Sequence, residues 1–307
     1  MRVTLLASAD FALPTLERLM LAGHEVSVGT QPARPAGRGR RARPTPIAAR
    51  CADLGLNAEE LDDVDDKPGL EWLTSTQPDV VVVVAFGQKL GPAVRAAGPW
   101  GCFNIHPSLL PRWRGAAPVQ ASLLAGDEET GVCVIDVVER MDAGDVLASR
   151  RTPTRDKTAG DLLEELAETG ADLLLEVLDA VARGDARRTP QDESAVTRSR
   201  KISADDGRIR WEHEAREVDF RVRAMSPRPG AFTCLPDGAR LKLIRGDAVP
   251  CTRGHLPGEV LDADGLLIAC GSGAFQVKTL QREGGKPMDT EAFLRGFPIT
   301  ASLRMGP

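Results

Sequence analysis

The run Val80-Val81-Val82-Val83-Val84-Ala85 decides the fold class of this chain. A continuous series of β-branched residues is typical of a parallel strand that is buried on both faces. Similar apolar segments alternate with helical patterns on either side of it. Strands are predicted at 3–6, 24–28, 101–106 and 131–138, and helices at 11–21, 47–54, 118–124 and 162–181. This alternation predicts an open, mostly parallel α/β sheet, in which ligands sit beyond the carboxyl ends of the strands.

The pattern changes in the last third of the chain. Between 189 and 206 the apolar periodicity disappears and polar residues dominate, which indicates a linker. After a helical stretch at 215–224, short apolar alternations are separated by Asp-Gly, Pro-Gly and Gly-Ser-Gly turns, as in a small β-barrel. The predicted domains are therefore an N-terminal α/β domain at 1–189, a linker at 190–206 and a C-terminal β-barrel at 207–307.

The composition and the short apolar runs argue against a secreted, membrane-spanning or metal-binding protein. The 307 residues are 42% hydrophobic and 27% charged, as in an ordinary globular protein. The N-terminal apolar run is too short for a signal peptide, and the valine run is too short to span a bilayer, so we expect a cytoplasmic protein. The six cysteines are scattered without a CxxC pair, and we expect them to be reduced, buried and not metal ligands.

The charge is unevenly distributed. The net charge is −5, but residues 207–307 carry 15 Lys and Arg against 12 Asp and Glu. The acidic N-terminal part contains a cluster of five arginines with no acid among them: Arg34, Arg38, Arg40, Arg41 and Arg43. Its Gly and Pro content predicts a loop over 31–46 without regular structure. Such a loop could bind phosphates, although a solvated basic loop explains the same pattern.

The segment Asn104-Ile105-His106-Pro107-Ser108-Leu109-Leu110-Pro111 follows a predicted strand. In an extended chain residues two apart share a side, so Asn104 and His106 project together while Ile105 points the other way. An amide can hold a developing oxyanion, and an imidazole can exchange a proton. This pair is therefore suited to acyl transfer.

A carboxylate to orient the imidazole is available at Asp142, in the loop after the strand predicted at 131–138. Gly144 in the same loop would let the backbone approach a ligand closely. An isolated aspartate in a loop is also a common turn former, and the residue pattern leaves both interpretations open.

These segments together resemble the folate-dependent formyltransferases over nearly the whole chain. The Asn-x-His-x-Ser-Leu-Leu-Pro segment at 104–111 is shared by that family. The narrower Arg-Pro-Ala-Gly-Arg-Gly segment at 34–39 resembles the members that act on methionyl-tRNA. Further matching segments lie at 10–12, 30–32, 82–85 with 87–88, 112–118, 125–127 with 130–131, 141–145, 201–203, 206–209, 229–232 and 286–288. The resemblance implies a Rossmann-like catalytic domain and an OB-like, tRNA-binding barrel.

The resemblance also implies the reaction and its residues. A formyl group would pass from 10-formyltetrahydrofolate, without a metal, to the α-amino group of methionyl-initiator tRNA, for translation initiation. Catalysis is assigned to Asn104, His106 and Asp142. The folate would contact Phe86, Gly87, Gln88, Leu90, Ser108, Leu109, Leu110 and Pro111, and the arginine cluster would hold the tRNA. We expect a monomer that does not bind membranes.

The same residues also allow other roles for the turn at 108–111 and other functions for the protein. Residues 108–111 could form a packed turn that serves only the core. A formyltransferase for another amine, such as an amino-sugar nucleotide or glycinamide ribonucleotide, would need the catalytic groups but not five arginines in one loop. A hydrolase of 10-formyltetrahydrofolate would use water as the acceptor. A binding module without catalysis would not need the three polar groups.

Overall fold

The computed structural model describes residues 1–36, 41–252, 254–301 and 303–306. Its strands are β1 Arg2–Ala7, β2 Glu25–Thr30, β3 Arg34–Ala36, β4 Arg41–Arg43, β5 Ala58–Glu60, β6 Val80–Val84, β7 Cys102–His106, β8 Arg114–Gly115, β9 Glu129–Asp136, β10 Val146–Pro153, β11 Arg198–Ser199, β12 Ala231–Cys234, β13 Arg240–Val249, β14 Val260–Asp262, β15 Leu267–Ala269, β16 Ala274–Arg282 and β17 Met288–Asp289. Its helices are α1 Leu13–Leu21, α2 Pro46–Asp53, α3 Lys67–Ser75, α4 Pro92–Arg95, α5 Pro118–Leu124, α6 Ala159–Ala182, α7 Ala215–Met225 and α8 Thr290–Gly296. Short 3-10 turns occur at Asp10–Ala12, Glu193–Ala195 and Ala204–Gly207.

The chain divides into two compact units. The first comprises Met1–Gly115, Thr130–Thr152 and Leu163–Ser199, and the second comprises Ala116–Glu129, Pro153–Leu162 and Arg200–Pro307. The segment interpreted above as a linker contributes residues to both units, because β11 pairs in parallel with β8 inside the first unit.

The first unit is built on a sheet with the strand order β10-β9-β7-β6-β1-β2-β5. Strands β1, β2, β5, β6 and β7 run parallel, and β9 is antiparallel to β7. All five valines of β6 are buried, which the continuous β-branched run predicted. The strand order reverses at β1, which has β2 on one side and β6 on the other. In open α/β sheets, this switch point is where ligands bind.

Helix α6 packs closely against the sheet beneath the predicted site. A Cβ on Gly170 would lie only 2.7 Å from Cγ2 of Ile105 and 3.0 Å from Cγ2 of Val132. Only glycine therefore allows this approach of helix to strand. Since Ile105 faces the helix, its neighbours Asn104 and His106 face the opposite side of β7.

Helix α6 begins with a capping box. The backbone N–H of Thr158 donates to Oδ2 of Asp161 at 2.8 Å, and the N–H of Asp161 donates to Oγ1 of Thr158 at 3.2 Å. These two bonds satisfy donors at a helix start that otherwise lack partners.

The second unit contains an antiparallel sheet with the order β12-β13-β16-β15-β14, as the short alternations predicted. The segment 303–306 joins its two edges. Val260 on one edge donates to Leu303 O at 2.8 Å, and Cys234 on the other exchanges backbone hydrogen bonds with Gly306 at 3.2 and 2.8 Å. These bonds close the sheet into a barrel, so neither edge strand is left unpaired.

The prediction of a loop without regular structure over 31–46 was wrong in part. Strands β3 and β4 pair antiparallel, with Arg34 opposite Arg43 and Pro35 opposite Ala42. A two-stranded ribbon leaves one side of each strand without a hydrogen-bond partner, so it tolerates a proline that a central strand would exclude. Among the described residues, no helix has the length and apolar character needed to cross a membrane.

Candidate active site

The carboxyl end of β7 carries the two polar groups that the sequence singles out. His106 is buried, with 4% of its surface exposed, and Asn104 is half-buried. The strand lies between β6 and β9, with Asn104 opposite Val83 and Ile135. The sheet therefore fixes the direction of both side chains.

A tight turn at 107–115 follows β7 and closes on itself. The Ser108 hydroxyl donates to Arg112 O at 2.8 Å, and the Ser108 N–H donates to His106 O at 2.9 Å. Trp113 O lies 3.1 Å from Nε2 of His106. Because a carbonyl can only accept, Nε2 carries the hydrogen in this contact. The turn thus orients the imidazole and directs Nδ1 away from Trp113.

Asp142 approaches that other nitrogen. Its Oδ1 lies 3.6 Å from Nδ1 of His106, an ion-pair distance, and its Oδ2 accepts a 2.8 Å hydrogen bond from the Gly115 N–H. The carboxylate is 13% exposed. The imidazole thus lies between a carbonyl at Nε2 and a carboxylate at Nδ1, and these two contacts set its orientation.

Gly115 makes this arrangement possible. Its φ of +121° is rarely adopted by other residues, and a Cβ there would lie 2.2 Å from Ser199 O. A side chain at 115 would therefore separate β8 from β11 and move the N–H that holds Asp142.

Two further residues hold the Asp142 loop, and the sequence analysis assigned neither of them a role. Nε2 of Gln191 donates to Asp142 O at 2.8 Å and to Gly144 O at 2.7 Å. Oε1 of Gln191 accepts from Nε of Arg114 at 3.0 Å. These contacts join residues 47 to 77 positions apart, and no local sequence pattern signals them.

The segment predicted to contact the folate, 86–90, follows β6 at the switch point. Phe86 and Leu90 are buried in a hydrophobic cluster that includes Leu6, Val81 and Val83. The Gln88 side chain accepts from the Val64 N–H at 2.8 Å and donates to Leu61 O at 2.8 Å. Its amide thus anchors a neighbouring loop, while Gly87 is exposed with φ +81°.

Ser8 joins three of the loops at this edge, a role not predicted from the sequence. Its hydroxyl accepts from the Gln31 N–H at 3.1 Å and donates to Phe86 O at 3.3 Å. Nε2 of Gln31 donates to the same carbonyl at 2.6 Å. The loops after β1, β2 and β6 are therefore fixed relative to each other.

The second predicted folate segment, 108–111, is also packed. Ser108 is fully buried, and Leu109 lies against Gly131, where a Cβ would come within 2.5 Å of the leucine side chain. Leu110 and Pro111 are half-buried. Leu109 is half-buried as well, so the backbone of the turn and the partly exposed faces of Leu109, Leu110 and Pro111 are available to a ligand.

The arginine cluster is partly described. Arg34 and Arg43 face each other in register across β3 and β4, and both are exposed. The backbone of Arg41 lies in β4. Arg38 and Arg40 lie outside the described residues.

Three buried cysteines are poor nucleophiles. Burial raises the pKa of Cys102 to about 12, of Cys133 to about 11 and of Cys270 to about 12. These thiols are therefore neutral near pH 7, and a neutral thiol is a poor nucleophile. Within the described part of the chain, no group of three His, Cys, Asp or Glu side chains could hold a metal ion.

Comparison with known proteins identifies the family. The model of the formyl transferase family matches residues 1–178, and the model of the formyl transferase C-terminal domain matches residues 201–298. The chain belongs to the formyl transferase family. The two matched regions leave only 179–200 between them.

The family's curated members include close relatives of this chain. The methionyl-tRNA formyltransferase of Ruegeria pomeroyi is 43% identical over 308 residues, which covers 99% of this chain and 100% of that protein. The methionyl-tRNA formyltransferase of Nitrobacter winogradskyi is 42% identical and covers 99% of both chains.

Solved structures share the fold of this formyl transferase at lower identity. HypX from Aquifex aeolicus, in complex with tetrahydrofolic acid, superimposes with a TM-score of 0.65 at 22% identity, over 96% of this chain and 47% of HypX. This chain thus spans about half the length of HypX. The sugar 3N-formyl transferase WlaRD has a TM-score of 0.64 at 14% identity, over 92% of this chain and 97% of that one.

Proposed function

We propose that this protein transfers a formyl group from 10-formyltetrahydrofolate to the α-amino group of methionyl-initiator tRNA, giving N-formylmethionyl-tRNA for translation initiation. The observation that carries the reaction type is the approach of Asp142 to His106 beside Asn104. The full-length likeness to methionyl-tRNA formyltransferases supports this acceptor over another amine.

The residues at the switch point fit a folate in their chemistry. The side chains at 86–90 and 108–111 are neutral apart from Lys89, which is exposed. A pterin is a flat, neutral ring system that apolar walls and backbone groups can hold. We assign this role to Phe86, Gly87, Gln88, Leu90, Ser108, Leu109, Leu110 and Pro111. When bound there, 10-formyltetrahydrofolate supplies the formyl carbon to be attacked.

Asn104, His106 and Asp142 divide the chemistry between them. The Asn104 amide donates a hydrogen bond to the formyl oxygen, which becomes negative as the amine adds to the carbon. The His106 imidazole, with the Asp142 carboxylate 3.6 Å from Nδ1, would add positive charge to the same region in its protonated form. Asp142 would also hold a water that takes the proton from the attacking amine and delivers it to N10, as the bond between N10 and the formyl carbon breaks and tetrahydrofolate leaves.

The tRNA contacts are assigned to the arginine cluster and the C-terminal barrel. Arg34, Arg38, Arg40, Arg41 and Arg43 bind phosphates and stack on exposed bases near the acceptor end. The lysines and arginines of the mildly basic region 207–307 bind the negatively charged phosphates of the RNA backbone. In this division, residues 1–189 form the catalytic domain and 190–206 the linker. The protein acts as a cytoplasmic monomer.

The test is an acceptor comparison with the purified protein. Labelled 10-formyltetrahydrofolate is incubated with methionyl-initiator tRNA, an amino-sugar nucleotide, glycinamide ribonucleotide, or no acceptor, and the labelled product is identified. We expect label on the methionyl-tRNA alone. Label on a small amine would support the alternative transferases, and labelled formate without an acceptor would indicate a hydrolase. Either result would overturn the proposal.

A further inference from the structure

A side-chain amide from a distant segment of the chain bridges two carbonyls of the Asp142 loop. Asp142 has φ +54°, in the left-handed region that costs energy for residues other than glycine. Both hydrogens of the Gln191 amide are used there, one on Asp142 O and one on Gly144 O. The amide therefore bridges two carbonyls of the turn that presents the carboxylate.

The orientation of that amide is set by Arg114. A guanidinium only donates and a carbonyl only accepts, so the amide oxygen must face Arg114 and its nitrogen must face the loop. The observed contacts, 3.0 Å to Nε of Arg114 and 2.7–2.8 Å to the two carbonyls, satisfy this requirement.

Arg114 is itself fixed in place. Its side chain is 1% exposed, and Nη2 donates to Oε1 of Glu193 at 2.9 Å. Hydrogen bonds from Arg114 and Arg140 lower the pKa of Glu193 to about 2, so the carboxylate is charged at neutral pH. The Arg114 N–H also donates to Thr197 O at 3.0 Å. Arg114 is thus held at Nε, at Nη2 and at its backbone N–H.

The geometry points to Gln191 as a positioning residue for Asp142, with Arg114 fixing its amide. The segment after α6, which lies far from the site in sequence, then holds the carboxylate within reach of the His106 imidazole. This inference rests on the proposed function, because it assigns Gln191 an effect on the same catalytic group. Neither residue contacts substrate in this account.

The first test is substitution of Gln191. We expect Gln191→Ala to lower kcat about 10- to 100-fold. A displacement of about 1 Å in a catalytic group can slow a reaction by about that factor. KM for folate and tRNA should change less than about threefold. Gln191→Glu keeps the acceptor for Arg114 and the side-chain volume but loses both donors, so it should resemble Gln191→Ala. Near-normal kcat in Gln191→Glu would mean that the side chain only fills space, and would overturn the inference.

The decisive test is a double-mutant cycle with Asp142→Asn. If Gln191 acts through the Asp142 carboxylate, Gln191→Ala should lower kcat less than about twofold in the Asp142→Asn background. Full additivity would show an independent structural effect and overturn the inference. Gln77→Ala is the matched control, since Gln77 accepts from Arg2 at 2.7 Å before β6, at the other end of the sheet; we expect no change in kcat. Absence of transfer by the unmodified protein would instead overturn the proposed function itself.

Discussion

The proposed catalytic edge (Asn104, His106, Asp142 and the turn 107–115), called the catalytic edge below, differs physically from the arginine hairpin of β3 and β4. At the edge, His106 and Ser108 are buried and each has a hydrogen-bond partner within the chain. In the hairpin, Arg34 and Arg43 are exposed on a short two-stranded ribbon. The first region fixes a few neutral and charged groups, and the second presents like charges to solvent.

This difference follows from what each region is proposed to do. Stabilising a developing charge requires donors that are already in position, since reorganisation during the reaction costs rate. Binding a polyanion requires accessible cations, and an exposed pair of charges contributes only modest energy. Substitutions should therefore alter kcat in one region and tRNA affinity in the other.

The largest effect is expected for Asn104→Ala. Removing one donor to an oxyanion lowers kcat by about 10²–10³, while KM for both substrates should change little. Steady-state formylation of methionyl-tRNA measures both parameters. The chain's other asparagine, Asn57, is exposed, and Asn57→Ala serves as the control. If kcat stayed within a factor of a few of the value for the unmodified protein, Asn104 would not be a donor to the oxyanion.

The next effect concerns the hairpin. Substituting both arginines, Arg34→Ala with Arg43→Ala, should raise KM for tRNA about tenfold, since two exposed charge contacts contribute roughly 0.5–1 kcal/mol each. The salt dependence of tRNA binding should weaken by about one unit of slope per arginine. Lys67→Ala with Arg183→Ala removes two other exposed cations, which pair with Glu71 and Asp185, and controls for net charge. Equal KM in the two variants would identify the hairpin as a solvated basic ribbon.

A third substitution separates stability from catalysis. Thr158→Ala removes the hydroxyl that caps α6 and should lower the free energy of unfolding by about 1 kcal/mol. Urea unfolding measures this loss, and Thr158→Ser should restore most of it. Because Thr158 touches neither region, kcat and KM should stay unchanged. A fall in kcat here would mean that lost stability alone can imitate the effects assigned to the catalytic edge.

The smallest effect expected is a pH dependence of the stability of the fold, caused by Glu193. Hydrogen bonds from Arg114 and Arg140 lower its pKa in the folded state to about 2, below the ordinary 4.5. The carboxylate therefore stabilises the fold above pH 4.5, and this contribution is lost as the pH falls towards 2. We expect the unmodified protein to be more stable than Glu193→Gln at pH 6, with the difference shrinking on acidification. A difference independent of pH between 6 and 2 would contradict this pairing.

The sequence predicted those parts of the fold that depend on local pattern. The valine run predicted β6, and the alternation of Asn104, Ile105 and His106 predicted which side chains share a face. The hairpin was missed because glycine and proline were taken to exclude pairing. Closure of the barrel by 303–306 and the Gln191 contacts depend on residues distant in sequence, which a single sequence does not reveal.

The most direct test of this account is a single-turnover titration of methionyl-tRNA, with saturating 10-formyltetrahydrofolate, for Asn104→Ala and the Arg34→Ala/Arg43→Ala variant side by side. We predict that the first lowers the limiting rate with an unchanged half-saturation concentration. The second should raise the half-saturation concentration with an unchanged limiting rate. If both variants altered the same parameter, the separation of chemistry from RNA binding would be contradicted.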